Sequence, residues 1–119
     1  LRKVLNPNNV SIVSQSMARA AMGDQAHLSE IVGKTAAIRD GFAAQCRQLG
    51  LDAPDSRTNF VLLRFGSAKE ARRADDALRK TGLLMRGMDG YGLPDCLRAT
   101  ICDQQVMDRA LAVLKGVLA

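Results

Sequence analysis

The sequence predicts an α+β protein in which helices cover a small sheet. Four stretches repeat apolar residues at the three- and four-residue spacing of amphipathic helices. Three short runs rich in Val, Leu and Ile are bounded by Gly, Pro or Asn, as buried strands are. From Asn59 onward the order is strand, helix, strand, strand, helix, and that order favours a sheet with helices on one face.

The N-terminal segment predicts an irregular lead-in followed by a helix. Residues 1–9 contain Asn-Pro-Asn-Asn, in which turn-forming residues concentrate and proline disfavours the helical conformation of the residue before it. Apolar residues then recur at helical spacing over residues 10–22. We expect Asn9 or Ser11 to cap this helix, because both side chains can accept from first-turn N–H groups, and Gly23 to end it.

A second, longer helix is predicted over residues 24–49, with Asp24 as its N-cap. About 25 residues at 1.5 Å each give a length on the order of 38 Å, which exceeds the need of one small domain. This helix is therefore expected to join two domains. Its polar side chains are predicted to form a solvated face: Gln25, Glu30, Lys34, Arg39, Asp40 and Arg47.

A strand and a capped helix come next. Residues 59–65 are dense in Val, Leu and Phe and predict a strand. Ser67 and Glu70 have the spacing of a capping box, in which the hydroxyl and the carboxylate satisfy backbone donors reciprocally. The pattern predicts a helix over residues 67–80 that Gly82 closes.

The last third of the chain predicts strand, loop, strand and helix. Apolar runs over residues 83–85 and 96–101 flank a loop rich in Gly, and an amphipathic helix follows with Asp103 as its cap. Arg86 and Arg98 then lie at strand positions on either side of one loop, where two guanidinium groups can converge on one anion. From the residues alone, Arg98 fits a structural salt bridge as well as an anion site, and Arg86 also fits an exposed strand end.

Three segments carry a resemblance to a known family. LLMRGMDGYGLPDCLRATI from Leu83, TNFVLLRF from Thr58 and NPNNVS from Asn6 resemble the C-terminal part of the histidinol-phosphate aminotransferases. Those enzymes have fold type I and use pyridoxal 5'-phosphate. The resemblance implies that residues 1–22 are a remnant of a large cofactor-binding domain, 24–49 the interdomain helix and 51–119 the small domain.

The resemblance also implies a substrate site. In enzymes of this kind the arginine at the position of Arg98 grips the acidic group of the substrate, and the one at Arg86 lies in the same pocket. Asn59, which opens the strand predicted over residues 59–65, matches an asparagine at that place in these enzymes. The two half-reactions present a carboxylate on glutamate and a phosphate on imidazole-acetol phosphate, and a planar guanidinium can pair with either through two parallel hydrogen bonds.

Other parts of the family's machinery are expected from polypeptide outside this sequence. The resemblance implies a lysine that binds the cofactor covalently, and no lysine here lies in a matching context: Lys3, Lys34, Lys69, Lys80 and Lys115. We therefore expect the chain to be a C-terminal piece that does not transaminate alone, from a cytoplasmic protein that is a homodimer. Cys102 departs from the resemblance, because a glycine commonly follows this segment in such enzymes.

Two alternatives stay open, the first from the resemblance and the second from composition. One is an aminotransferase for aromatic or varied amino acids, which would also bind the acidic group of its substrate through these arginines. The other is a free-standing module that binds nucleic acid or a small anion, because 17 basic residues exceed 12 acidic ones and Arg72, Arg73, Arg79 and Lys80 could form a patch. Against nucleic acid, aromatic residues make up only 3% and acidic residues interrupt the patch.

No apolar run predicts a membrane span, and three cysteines without a metal-binding spacing favour a reducing compartment.

Overall fold

A computed structural model describes residues 9–118 and confirms the α+β class. Residues 1–8, most of the predicted lead-in, lie outside the described part. The described residues form four α-helices and three strands, with one short 3-10 turn between the last two strands: α1 (Ile12–Gly23), α2 (Gln25–Gln48), β1 (Phe60–Arg64), α3 (Ala68–Lys80), β2 (Arg86–Gly87), β3 (Cys96–Thr100) and α4 (Gln104–Leu118). The chain divides into two compact units, up to Val32 and from Gly33.

In the first unit, side-chain caps define the helix boundaries as predicted. Ser11 caps α1, because its Oγ accepts from the backbone N–H of Ser14 at 3.1 Å. Asp24 caps α2 in the same way, accepting from the backbone N–H of His27 at 3.0 Å. Both contacts satisfy amide groups that the first helical turn leaves without an intrahelical partner.

The second unit contains an antiparallel sheet in the order β1-β3-β2. Leu63 of β1 lies opposite Leu97 of β3, and Val61 lies opposite Ala99. Because side chains alternate along a strand, these four point to one face of the sheet, where all are buried. They form one core cluster with residues of α2, α3 and α4, including Cys46, Leu78 and Leu114.

The predicted capping box of α3 forms with one change of partner. Ser67 Oγ accepts from the backbone N–H of Glu70 at 3.2 Å, as predicted. Glu70 Oε2, however, accepts from the N–H of Gly66 at 3.0 Å rather than from that of Ser67. At the other end Gly82 has φ +78°, a left-handed conformation that lets the chain leave the helix.

Two predictions are wrong. Residues 83–85 are not a strand, because the N–H of Leu83 closes α3 by bonding to the carbonyl of Leu78, and pairing with β3 begins only at Arg86. Arg39 is not on a solvated face of α2. It is 8% exposed, and its Nη1 donates to the carbonyl of Thr58 at 3.2 Å, which ties the helix to the segment before β1.

Candidate anion-binding site

The two predicted arginines lie side by side in the sheet. Arg86 of β2 and Arg98 of β3 are directly opposite one another in the antiparallel register. Directly opposite residues project their side chains to the same face, with Cβ atoms about 5 Å apart. Leu97 and Ala99, the neighbours of Arg98 along β3, point into the core, so the arginine pair is on the other face of the sheet.

Arg98 is half-buried, and one of the nitrogen atoms of its head group is unmet. Its Nε is shielded from solvent and has no hydrogen-bond partner. The guanidinium carbon lies 4.7 Å from the centre of the Phe60 ring, a cation–π distance. Within residues 9–118 this aromatic contact is the only specific interaction of the Arg98 head group. A buried donor without an acceptor is unfavourable for the fold.

Arg86 is exposed and has a different kind of support. Its Nη2 donates to the Tyr91 hydroxyl at 3.2 Å, and its guanidinium carbon lies 5.4 Å from the centre of the same ring. Tyr91 ends the short 3-10 turn Asp89–Tyr91 in the loop between β2 and β3, and Gly92 follows with φ +75°. The glycine-rich loop predicted from the sequence thus places an aromatic hydroxyl against one member of the pair.

The arrangement concentrates positive charge without a matching carboxylate. Like charges on directly opposite strand residues repel one another, and this weakens the sheet. In the described part of the chain neither Arg86 nor Arg98 forms a salt bridge. The salt-bridge alternative for Arg98 therefore finds no partner there. The pair has the donors and the charge to bind a carboxylate or a phosphate.

Asn59, the third predicted site residue, is exposed and lies just before β1. Its backbone carbonyl accepts from the N–H of Ile101 at 2.8 Å and so extends the pairing of β1 with β3. In residues 9–118 its side chain makes no hydrogen bond to Arg86 or Arg98. The structure brings the two arginines together and leaves Asn59 at the end of the neighbouring strand.

The sequence predicted neither Phe60 nor Tyr91 as a site residue. Phe60 lies opposite Thr100, two residues along β3 from Arg98, so the contact is diagonal across two strands. Alternation along β1 is the one signal that could have suggested it, because Phe60 and Leu62 share the face opposite to Val61. The register of β1 against β3 was needed to place the ring over the guanidinium.

Internal contacts engage part of the basic patch that the nucleic-acid or anion-binding alternative relies on. Arg73 Nη2 donates to the carbonyl of Val117 at 2.6 Å, near the C-terminus of α4. Arg79 forms an ion pair with Asp75, with Nε and Oδ2 2.8 Å apart. Two of the four basic side chains proposed for a polyanion surface are thus engaged within the fold.

The cysteines differ in reactivity. Cys46 and Cys96 are buried, and Cys102 is exposed. Burial raises the pKa of Cys46 to about 12, against a smaller opposite effect of Arg47. Burial also raises the pKa of Cys96. The two buried thiols are therefore uncharged at neutral pH and unreactive.

Residues 9–118 lack two further features. No helix there is long and apolar enough to cross a membrane. That part of the chain also contains no group of three or more His, Cys, Asp or Glu side chains arranged to hold a metal ion.

The chain is similar in sequence to enzymes of one kind. It is 38% identical over 119 residues to the histidinol-phosphate aminotransferase of a Jannaschia species, with all of this chain and 33% of the relative aligned. It is 35% identical to that of Paracoccus denitrificans, with all of this chain and 32% of the relative aligned. The chain thus spans about a third of the length of the curated relatives it matches.

Solved structures and a family model agree with this similarity. The crystal structure of histidinol-phosphate aminotransferase from Sinorhizobium meliloti, in complex with pyridoxal-5'-phosphate, superposes with a TM-score of 0.81 at 30% identity. The match covers 98% of this chain and 32% of that one. The model of aminotransferase class I and II matches residues 1–114. The chain therefore belongs to the aminotransferase class I and II family.

Proposed function

We propose that the full-length protein transfers an amino group from glutamate to imidazole-acetol phosphate in histidine biosynthesis, using pyridoxal 5'-phosphate. The opposed pair Arg86 and Arg98, with the unmet Nε of Arg98, is the observation that carries the proposal. The similarity to histidinol-phosphate aminotransferases selects this reaction among those that need an anion site. The three free thiols are consistent with a cytoplasmic protein, and we infer a homodimer from the resemblance.

In this proposal Arg98 is the main anion ligand and Arg86 assists it. The reaction needs one site that accepts a carboxylate in one half and a phosphate monoester in the other. Two guanidinium groups on neighbouring strands offer planar forks of donors, which match the oxygens of either anion. Asn59 would contribute from the adjoining strand end. Binding the anion fixes the reacting end of the substrate relative to the cofactor.

The described residues do not by themselves fit the cofactor. It supplies the electron sink of the reaction and needs a lysine beside the substrate. Lys69, Lys80 and Lys115 are on α3 and α4, whose core residues pack against the face of the sheet opposite to the arginine pair. Lys34, the other lysine of residues 9–118, is exposed on α2, outside the sheet. We therefore assign the cofactor contacts to other parts of the full-length protein. The role of this chain is to bind and orient the substrate anion.

The test is steady-state kinetics on the full-length enzyme with both substrates. We expect Arg98→Ala to lower kcat/KM about 100-fold, since losing a charge-assisted bidentate contact costs about 3 kcal/mol. Arg86→Ala should have a smaller effect, because Arg86 is exposed. Arg72→Ala is the matched control, since Arg72 is an exposed arginine on α3, away from the strand pair.

Two outcomes would contradict the proposal. Equal rates for Arg98→Ala and the unchanged enzyme with both substrates would remove Arg98 from the site. Faster turnover of aromatic keto acids than of imidazole-acetol phosphate would reassign the substrate while keeping the reaction class.

A further inference from the structure

The two arginines of the site are held in different ways. Arg86 has a polar tether, because it donates to the Tyr91 hydroxyl. Arg98 has none among residues 9–118, where its head group makes only the contact with the Phe60 ring. The residue assigned the larger role in binding is therefore the one whose head group is fixed by no acceptor in the described part of the chain.

The ring of Phe60 is suited to supply that restraint. It is half-buried and belongs to β1, which pairs with β3 over five residues, so its position is fixed by the sheet rather than by a loop. A guanidinium over an aromatic face is attracted electrostatically and keeps its N–H donors free at the edge of its plane. A carboxylate partner would fix Arg98 equally well, but it would occupy those donors and compete with the substrate.

We propose that Phe60 is a positioning residue for the anion site: its ring holds the Arg98 guanidinium in place and leaves the hydrogen-bond donors of Arg98 to a carboxylate or phosphate. This inference rests on the proposed role of Arg98 in anion binding. It adds a residue with no polar atom in its side chain to a site built of charges. Phe60 itself does not touch the anion in this scheme.

The proposal predicts a specific pattern of binding constants. Inorganic phosphate is the probe, and calorimetry on the full-length protein at fixed ionic strength gives its Kd. We expect Phe60→Leu to weaken phosphate binding three- to thirty-fold, which is about 0.7 to 2 kcal/mol at 1.4 kcal/mol per tenfold. Phe60→Tyr keeps the ring and should bind phosphate within about twofold of the unchanged protein.

A double-mutant cycle separates positioning from a general structural role. In an Arg98→Ala background, Phe60→Leu should cause no further loss, because the group that the ring positions is gone. Phe60→Met, which keeps side-chain bulk, serves if Phe60→Leu unfolds the protein, and thermal unfolding of every variant checks the fold.

The outcomes distinguish this inference from the proposed function. If Phe60→Leu causes the same loss with and without Arg98, or if Phe60→Leu binds phosphate normally, Phe60 does not position Arg98 and the proposed function stands. If Arg98→Ala binds phosphate as well as the unchanged protein, both the inference and the proposed role of Arg98 are overturned.

Discussion

Replacing Arg98 by methionine should stabilise the isolated chain while it abolishes anion binding. The prediction follows from the unmet Nε of Arg98, which is shielded from solvent and has no acceptor. Methionine is shorter than arginine but comparable in volume, unbranched and without a hydrogen-bond donor, so the substitution removes the unsatisfied group without opening a large cavity. A site that is optimised for a ligand is expected to lower the stability of the free fold in this way.

The magnitude follows from three contributions. A buried donor left without a partner costs about 1–3 kcal/mol, and the lower end applies because Arg98 as a whole is only half-buried. Removing the repulsion between opposed Arg86 and Arg98 adds a few tenths, roughly 0.3 kcal/mol. The lost cation–π contact with Phe60 costs about 0.5–1 kcal/mol, and a contact of the methionine sulfur with the ring replaces most of it. The net gain is about 1 kcal/mol, or roughly 4 °C in Tm for a chain of this length.

Urea unfolding followed by far-ultraviolet circular dichroism measures this effect, since the chain contains no tryptophan. Arg72→Met is the matched control, because Arg72 is exposed and should show a change within about 0.5 kcal/mol. Added phosphate should stabilise the unchanged chain and leave Arg98→Met unaffected, by linkage of binding to folding. A loss of about 1 kcal/mol or more for Arg98→Met in phosphate-free buffer would refute the reasoning.

Two further predictions concern the core and a helix cap. Burial raises the pKa of Cys46 from 9.0 to about 12, so the stability that its neutral thiol contributes is complete below pH 9 and is lost as pH rises toward 12. At about pH 10.5 the free energy of unfolding should have fallen by ~2 kcal/mol. Cys46→Ala lacks the thiol, so its free energy of unfolding should fall less than that of the unchanged chain as pH rises above 9. An equal fall for the two proteins would contradict the prediction. Ser67→Ala should cost about 1 kcal/mol in urea unfolding, because it removes the cap of α3, whereas Ser16→Ala on the exposed face of α1 should change stability by less than about 0.5 kcal/mol. Equal stabilities for Ser67→Ala and Ser16→Ala would exclude the cap.

Much of the fold was predictable because its signals are local. A cap such as Asp24 or Asp103 acts on amides within three residues, and the apolar spacing of a helix repeats within a few turns. The strand predicted at residues 83–85 was wrong because strand formation depends on a partner. Residues 83–85 have a strand-like composition. The N–H of Leu83, however, bonds to the carbonyl of Leu78 in α3, and β3 pairs only with Arg86 and Gly87.

Arg39 shows the same limit within a helix. Its position on α2 is fixed by local spacing, but its burial depends on Thr58, 19 residues further along the chain. No pattern within the helix reports that contact. A charged residue in an amphipathic stretch is therefore predicted to be solvated. It can be buried instead where the tertiary structure places a carbonyl that accepts a hydrogen bond from it.

The sequence alone determined that two arginines flank one glycine-rich loop, and an anion as their ligand was only what the family resemblance implied. Only the tertiary structure decided that Arg86 and Arg98 face the same side and that Phe60 lies under the second of them. Side chains alternate between the faces of a sheet, so a shift of one residue in register would have separated the pair. The register of β1 against β3, which brings Phe60 to Arg98, is set by packing between strands distant in the chain, which local sequence does not encode.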